Sequence, residues 1–186
     1  LPWPAPPGTN RGWPIFIQGY VPKADEPRAT PWVDGISPGY FKTMGIPVLA
    51  GRDFDDRDVR SKANVMIVNE TFARHYFPNE NAVGRYVGLA PGVFDVEIVG
   101  VVKDGKYTGL REEPVRMMYV PNREQVGISQ TTVLVRTVGD PLAFASTLRQ
   151  KVNDIDRRAI VLDIATVQDR IDRSLFHITS NPAVRR

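Results

Sequence analysis

The chain has 186 residues, 42% of them hydrophobic and 24% charged, with a net charge of +3 and no cysteine. Such a length supports a hydrophobic core without staples and such a composition excludes wholesale disorder; without cysteine there are no disulfides, no thiol chemistry and no cysteine-based zinc site. The small charge is spread along the chain instead of gathering in a basic tract, which argues against nucleic acid as a partner, and no stretch forms a signal peptide or approaches the roughly 18 apolar residues of a membrane span.

In chain order, prolines at 2, 4, 6, 7, 14, 22, 27 and 31 predict an extended, turn-rich arm whose one strand-like run is 14–17. Ser37 followed by Pro38 predicts a helix start, with Tyr40, Phe41 and Met44 on its apolar face and Gly45 as its left-handed stop. A short strand is expected over 47–50, and the β-branched run 65–68 reads as a buried strand. Asn69 then caps a helix carrying Phe72, Ala73, Tyr76 and Phe77 on one face, stopped by Pro78. Residues 94–102 alternate and then turn fully apolar, as a strand does on passing from half-exposed to buried. Further strands are expected over 117–120, 131–137 and 160–164. Between the last two, Asp140-Pro141 opens a helix with a Phe144, Leu148, Val152 and Ile155 stripe; Thr166 with Asp169 opens a final helix with Val167, Ile171 and Leu175. The order strand, helix, strand over 131–165 predicts a β-α-β unit in an α+β protein.

Several motifs imitate chemistry. Gly100 to Lys106 matches seven positions of a phosphate loop, but Tyr107 stands where a magnesium-holding Ser or Thr belongs and Val101-Val102 continues a strand, so a strand-turn is the reading. Asp53, Asp55, Asp56 and Asp58 are interleaved with Arg52, Arg57 and Arg60 and lack the Gly and Glu of a calcium loop, which predicts self-neutralised acid and no metal site. His75 and His177 are far apart and have no zinc spacing, and there is no serine nucleophile motif, so no catalytic residue is assigned. Asn69-Glu70-Thr71 has glycosylation spacing, but Asn69 is already claimed as a cap.

An ordered set of segments then carries a resemblance: Ser37-Pro38-Gly39-Tyr40-Phe41 running on to Gly45-Ile46-Pro47, Gly51-Arg52-Asp53-Phe54, Ile67-Val68-Asn69-Glu70-Thr71-Phe72, Tyr76-Phe77-Pro78, Val83-Gly84-Arg85, Glu97-Ile98-Val99-Gly100, Met118-Tyr119-Val120-Pro121 and Gly139-Asp140-Pro141. From Trp32 to Phe176 the chain resembles the periplasmic core domain of MacB/FtsX-like ABC transporter permeases. The resemblance implies a two-lobed fold, a β-α-β lobe like those of multidrug-pump porter domains with a mixed α/β lobe inserted in it. It assigns 1–36 to the arm and the entry into the first lobe, 37–113 to the inserted lobe and 114–186 to the β-α-β lobe and terminal helix. It places the domain on the periplasmic side of the inner membrane, on a longer chain whose transmembrane helices, second permease subunit, ABC ATPase and periplasmic adaptor are its expected partners. ATP is expected only at that separate cytoplasmic ATPase, and no cofactor in the domain.

Two functions of different class remain open. In the first, the domain is non-catalytic and passes ATP-driven membrane motion to periplasmic work such as export, with Ser37, Pro114, Thr166, Ile171 and Leu175 as its coupling positions. In the second, it is a stand-alone periplasmic module that holds a ligand against Trp32, Tyr40 or Tyr76. Starting on Leu1 and not on Met, the chain is expected to be a fragment of a longer protein.

Overall fold

The computed structural model describes residues 14–21, 29–60, 64–105, 114–122 and 131–169. They fall into two compact units divided between Thr132 and Val133.

The larger unit is built on a seven-stranded mixed sheet: β1 (Phe16–Ile17), β2 (Trp32–Ile36), β3 (Val48–Gly51), β4 (Val65–Asn69), β5 (Tyr86–Gly88), β6 (Val96–Val102) and β7 (Met117–Pro121). The spatial order is β1-β5-β6-β4-β7-β2, and β3 pairs with β6 as well. β4 runs parallel to β6 and β2 parallel to β7, whereas the β4–β7, β5–β6, β3–β6 and β1–β5 pairs are antiparallel. The helices here are α1 (Tyr40–Met44), α2 (Asp56–Arg60) and α3 (Glu70–Tyr76).

β4 is central, and each of its five residues is buried. Its side chains alternate between two cores, as a period of two requires. Met66 and Val68 join Phe72, Tyr76, Phe77, Val87 and Ile98, while Val65 and Ile67 join Phe41, Phe54, Val99, Val102, Met117 and Tyr119. The aromatic face anticipated on the two helices is core: Phe41, Phe72, Tyr76 and Phe77 are buried and Tyr40 packs on the second cluster.

Gly100, the first glycine of the phosphate-loop imitation, lies inside β6. A Cβ there would stand 2.4 Å from the Arg52 carbonyl oxygen, so close backbone approach is what requires glycine. The predicted start of α1 is corrected. Tyr40 N–H donates to the Ser37 carbonyl at 3.2 Å and Gly39 has φ 82° and ψ 0°, so Ser37-Pro38-Gly39-Tyr40 is a type II turn and the helix begins at its last residue, Tyr40. Gly45 ends it at φ 72°, as expected.

The smaller unit contains a 3-10 turn, Pro141–Phe144, that runs into α4 (Ala145–Ile155). Asp140 caps the turn by accepting from Leu142 N–H at 3.0 Å. The strands expected over 131–137 and 160–164 are not formed; both segments are irregular. A strand exists only with a partner for its ladder, and no ladder is present among the described residues of this unit. A parallel crossover instead occurs where β4 leads through α3 and the edge-side β5 to the parallel β6. The boundary expected at 113/114 falls within the larger unit, because β7 lies between β4 and β2 in the sheet.

Candidate functional site

The end of β4 builds a polar hub. Asn69 is fully buried and uses its whole hydrogen-bonding capacity. Its Oδ1 accepts from Phe72 N–H at 3.1 Å, which caps α3, and from Met117 N–H at 2.9 Å; its Nδ2 donates to Asp104 Oδ1 at 2.7 Å and to the Val115 carbonyl at 2.8 Å. Asp104 also accepts from Thr71 N–H and Oγ1, both at 2.8 Å, and from Arg74 at 3.0 Å. The hub ties the start of α3 to the chain after β6 and to the start of β7. The sequence disclosed the cap. It did not disclose Asp104, which reads as a turn residue before Gly105. Asn69 is unavailable as a glycosylation acceptor, since it has no exposed surface.

A cleft of about 360 Å³ opens beside this hub, lined by Thr30, Trp32, Thr71, His75, Pro114, Val115 and Arg116. Arg116 Nη1 lies 3.0 Å from His75 Nε2, and its guanidinium stands 5.5 Å from the centre of the Tyr76 ring. Arginine has no acceptor, so in this contact the Arg116 guanidinium is the donor and His75 Nε2 the acceptor. The Arg116 backbone is fixed as well, because Trp32 N–H donates to its carbonyl at 2.8 Å. His75 is exposed on α3, and its contact with a residue 41 positions away carried no local signal in the sequence.

The three aromatic ligand candidates are divided between the two cores, Trp32 and Tyr40 packing on the second and Tyr76 lying in the first. Trp32 also lines the cleft, and the Tyr40 ring lies 5.4 Å from Phe41. Burial, reinforced by the charge of Asp34, pushes the Tyr40 hydroxyl up to about 12, so it stays protonated; burial likewise raises the Asp34 carboxyl. Among the coupling positions, Ser37 opens the type II turn and Pro114 lines the cleft. Thr166 forms the expected capping box, each of Thr166 and Asp169 donating its N–H to the other's side chain at 3.0 Å. Ile171 and Leu175 lie outside the described residues.

The acidic loop proves to be a clasp around α2. Asp58 is buried and bound by both terminal nitrogens of Arg52, at 2.5 and 2.9 Å, and by Asp55 N–H at 2.9 Å. Asp55 meets Arg57 at 2.7 Å. The Arg52 hydrogen bonds hold the Asp58 carboxyl below the usual carboxylate range, and Arg57 holds Asp55 at about 2.

No helix among the described residues is long and apolar enough to cross a membrane. In comparison with known proteins, residues 14–151 match the MacB-like periplasmic core domain. A macrolide export ATP-binding/permease protein, MacB, of Agrobacterium fabrum is 25% identical over 155 residues, which cover 82% of this chain and 22% of that protein. The corresponding Bartonella quintana protein is 30% identical over 124 residues, 66% of this chain and 17% of that one. The chain thus spans about a fifth of the length of these relatives. Among solved structures, the periplasmic region of MacB from Actinobacillus actinomycetemcomitans aligns over 78% of this chain and 63% of its own, with a TM-score of 0.51 and 18% identity, which shows the same fold. The chain belongs to the family of MacB-like periplasmic core domains of ABC transporter permeases.

Proposed function

We propose that the domain is a non-catalytic coupling element, which converts ATP-driven movement of transmembrane helices into displacement of a periplasmic body during export. The observation that carries this reading is the capping box at Thr166 and Asp169, which fixes the start of a helix close to the point where, by resemblance to the permeases, the chain continues toward the membrane. A helix held at its start carries movement as a rigid body, whereas a flexible linker dissipates it. The larger unit supplies a stiff body for that movement, since the polar hub locks β4, α3 and β7 together. On this reading Ser37 and Pro114 are joints, Thr166, Ile171 and Leu175 transmit, and the partners are the protein's own transmembrane helices, a second permease subunit, a periplasmic adaptor and an ABC ATPase. ATP acts only at that ATPase, and this domain uses no cofactor. The relatives' names, which specify macrolide export, support efflux as the work performed.

Insertion of several glycines after Phe176 in the full-length permease tests the coupling. Transport should fall while ATP hydrolysis and expression persist. Normal transport by a folded insertion variant would overturn the reading.

A further inference from the structure

We propose that the cleft beside α3 is a binding site for a small monocarboxylate with an apolar or aromatic body, anchored by Arg116 and walled by Trp32. This goes beyond the coupling role and does not depend on it. The first observation is an arginine that lines the cleft and is held in place without a carboxylate. Arg52, Arg57, Arg74, Arg85 and Arg158 each pair with a carboxylate. Arg116, half-buried, has no carboxylate partner among the described residues; it rests on the His75 imidazole and the Tyr76 ring. Those two contacts hold the guanidinium without neutralising it and involve only Nη1 and the ring-facing surface. Nη2 and Nε remain to form the two parallel hydrogen bonds by which arginine takes a carboxylate.

The second observation is the cleft itself. Its volume of about 360 Å³ suits a ligand of roughly amino-acid-derivative size, at the lower end of the range for small-molecule sites. Trp32, Val115 and Pro114 offer apolar surface and Thr30 a hydroxyl. The site favours one negative charge over two. Arg74, the residue before His75 on α3, is already bound to Glu70 and Asp104, so among the described residues that line the cleft Arg116 is the one with a permanent positive charge, and the Asp104 carboxylate held on Thr71 disfavours a dianion.

N-acetylphenylalanine, titrated into the 186-residue chain and followed by nuclear magnetic resonance, is a suitable probe, with its uncharged carboxamide as control. Saturable shifts are expected at the Trp32 indole and the His75 ring, with binding at least about 10-fold weaker for the carboxamide and for Arg116→Gln, as loss of a charge-assisted pair implies. Arg116→Lys, which keeps the charge but not the fork, should fall between. Absence of saturable shifts, equal binding of acid and carboxamide, or full binding by Arg116→Gln would overturn the proposal. If Arg116→Gln loses the spectral dispersion of the folded chain, Arg116→Lys decides, and unweakened binding by that variant counts against the site.

Discussion

The two units of this chain use similar sequence patterns with different results. Residues 65–68 and 160–164 are both short β-branched runs next to a helix, yet the first is the buried central strand and the second is irregular. In the larger unit β4 has β6 on one side and β7 on the other, and each of its four apolar side chains enters one of two cores. In the smaller unit order is local: a capped 3-10 turn, α4 with no buried residue and a capping box. Strand propensity therefore describes a surface suited to pairing, and pairing decides whether a strand exists.

The sharpest test of that contrast is to truncate an aromatic in each unit. Phe72→Ala should destabilise the larger unit by about 3–5 kcal/mol, because Phe72 has no exposed surface, whereas Phe144→Ala, 42% exposed, should cost under about 1 kcal/mol in denaturant unfolding. Equal losses would show that the smaller unit has a core of its own. Helix caps sharpen the comparison next. Asn69→Ala removes a cap and strands the Met117 N–H and the Val115 carbonyl, an expected loss of about 3 kcal/mol; Asp140→Ala removes an exposed cap and should cost about 0.5–1 kcal/mol. Gly100→Ala, which forces the Arg52 carbonyl away from β6, should lower stability by about 1–3 kcal/mol in the same assay.

The smallest effect is electrostatic and depends on pH. The folded-state pKa of Asp58 is lowered by Arg52, so its contribution is complete above the unfolded carboxylate value near ~3.9 and is lost as pH falls through the lower folded value. Asp58→Asn should therefore be less stable than the wild type at pH 7 and show a shallower loss of stability below about pH 4. Asp156 is lowered in the same direction by Arg158, but that pair is exposed, and Asp156→Asn should follow the wild-type acid curve.

Local chemistry made much of this molecule legible. Asn69, Asp140 and the Thr166/Asp169 pair cap where their spacing predicts, Gly45 ends α1, and the runs at 65–68, 96–102 and 117–120 are strands, because caps, stops and buried runs depend on near neighbours or on hydrophobicity alone. The ordered segments also carried the family. What the sequence left undecided was every feature made by distant residues meeting. The sheet order, the parallel pairing of β4 with β6, the absence of strands at 131–137 and 160–164, the Asp104 hub and the His75–Arg116 contact all arise from tertiary packing. Pro38-Gly39 shows the limit at short range: the pair serves a helix start or a type II turn, and the left-handed glycine selects the turn. Local sequence determines which conformations are inexpensive, and long-range burial and hydrogen bonding decide which of them the chain keeps.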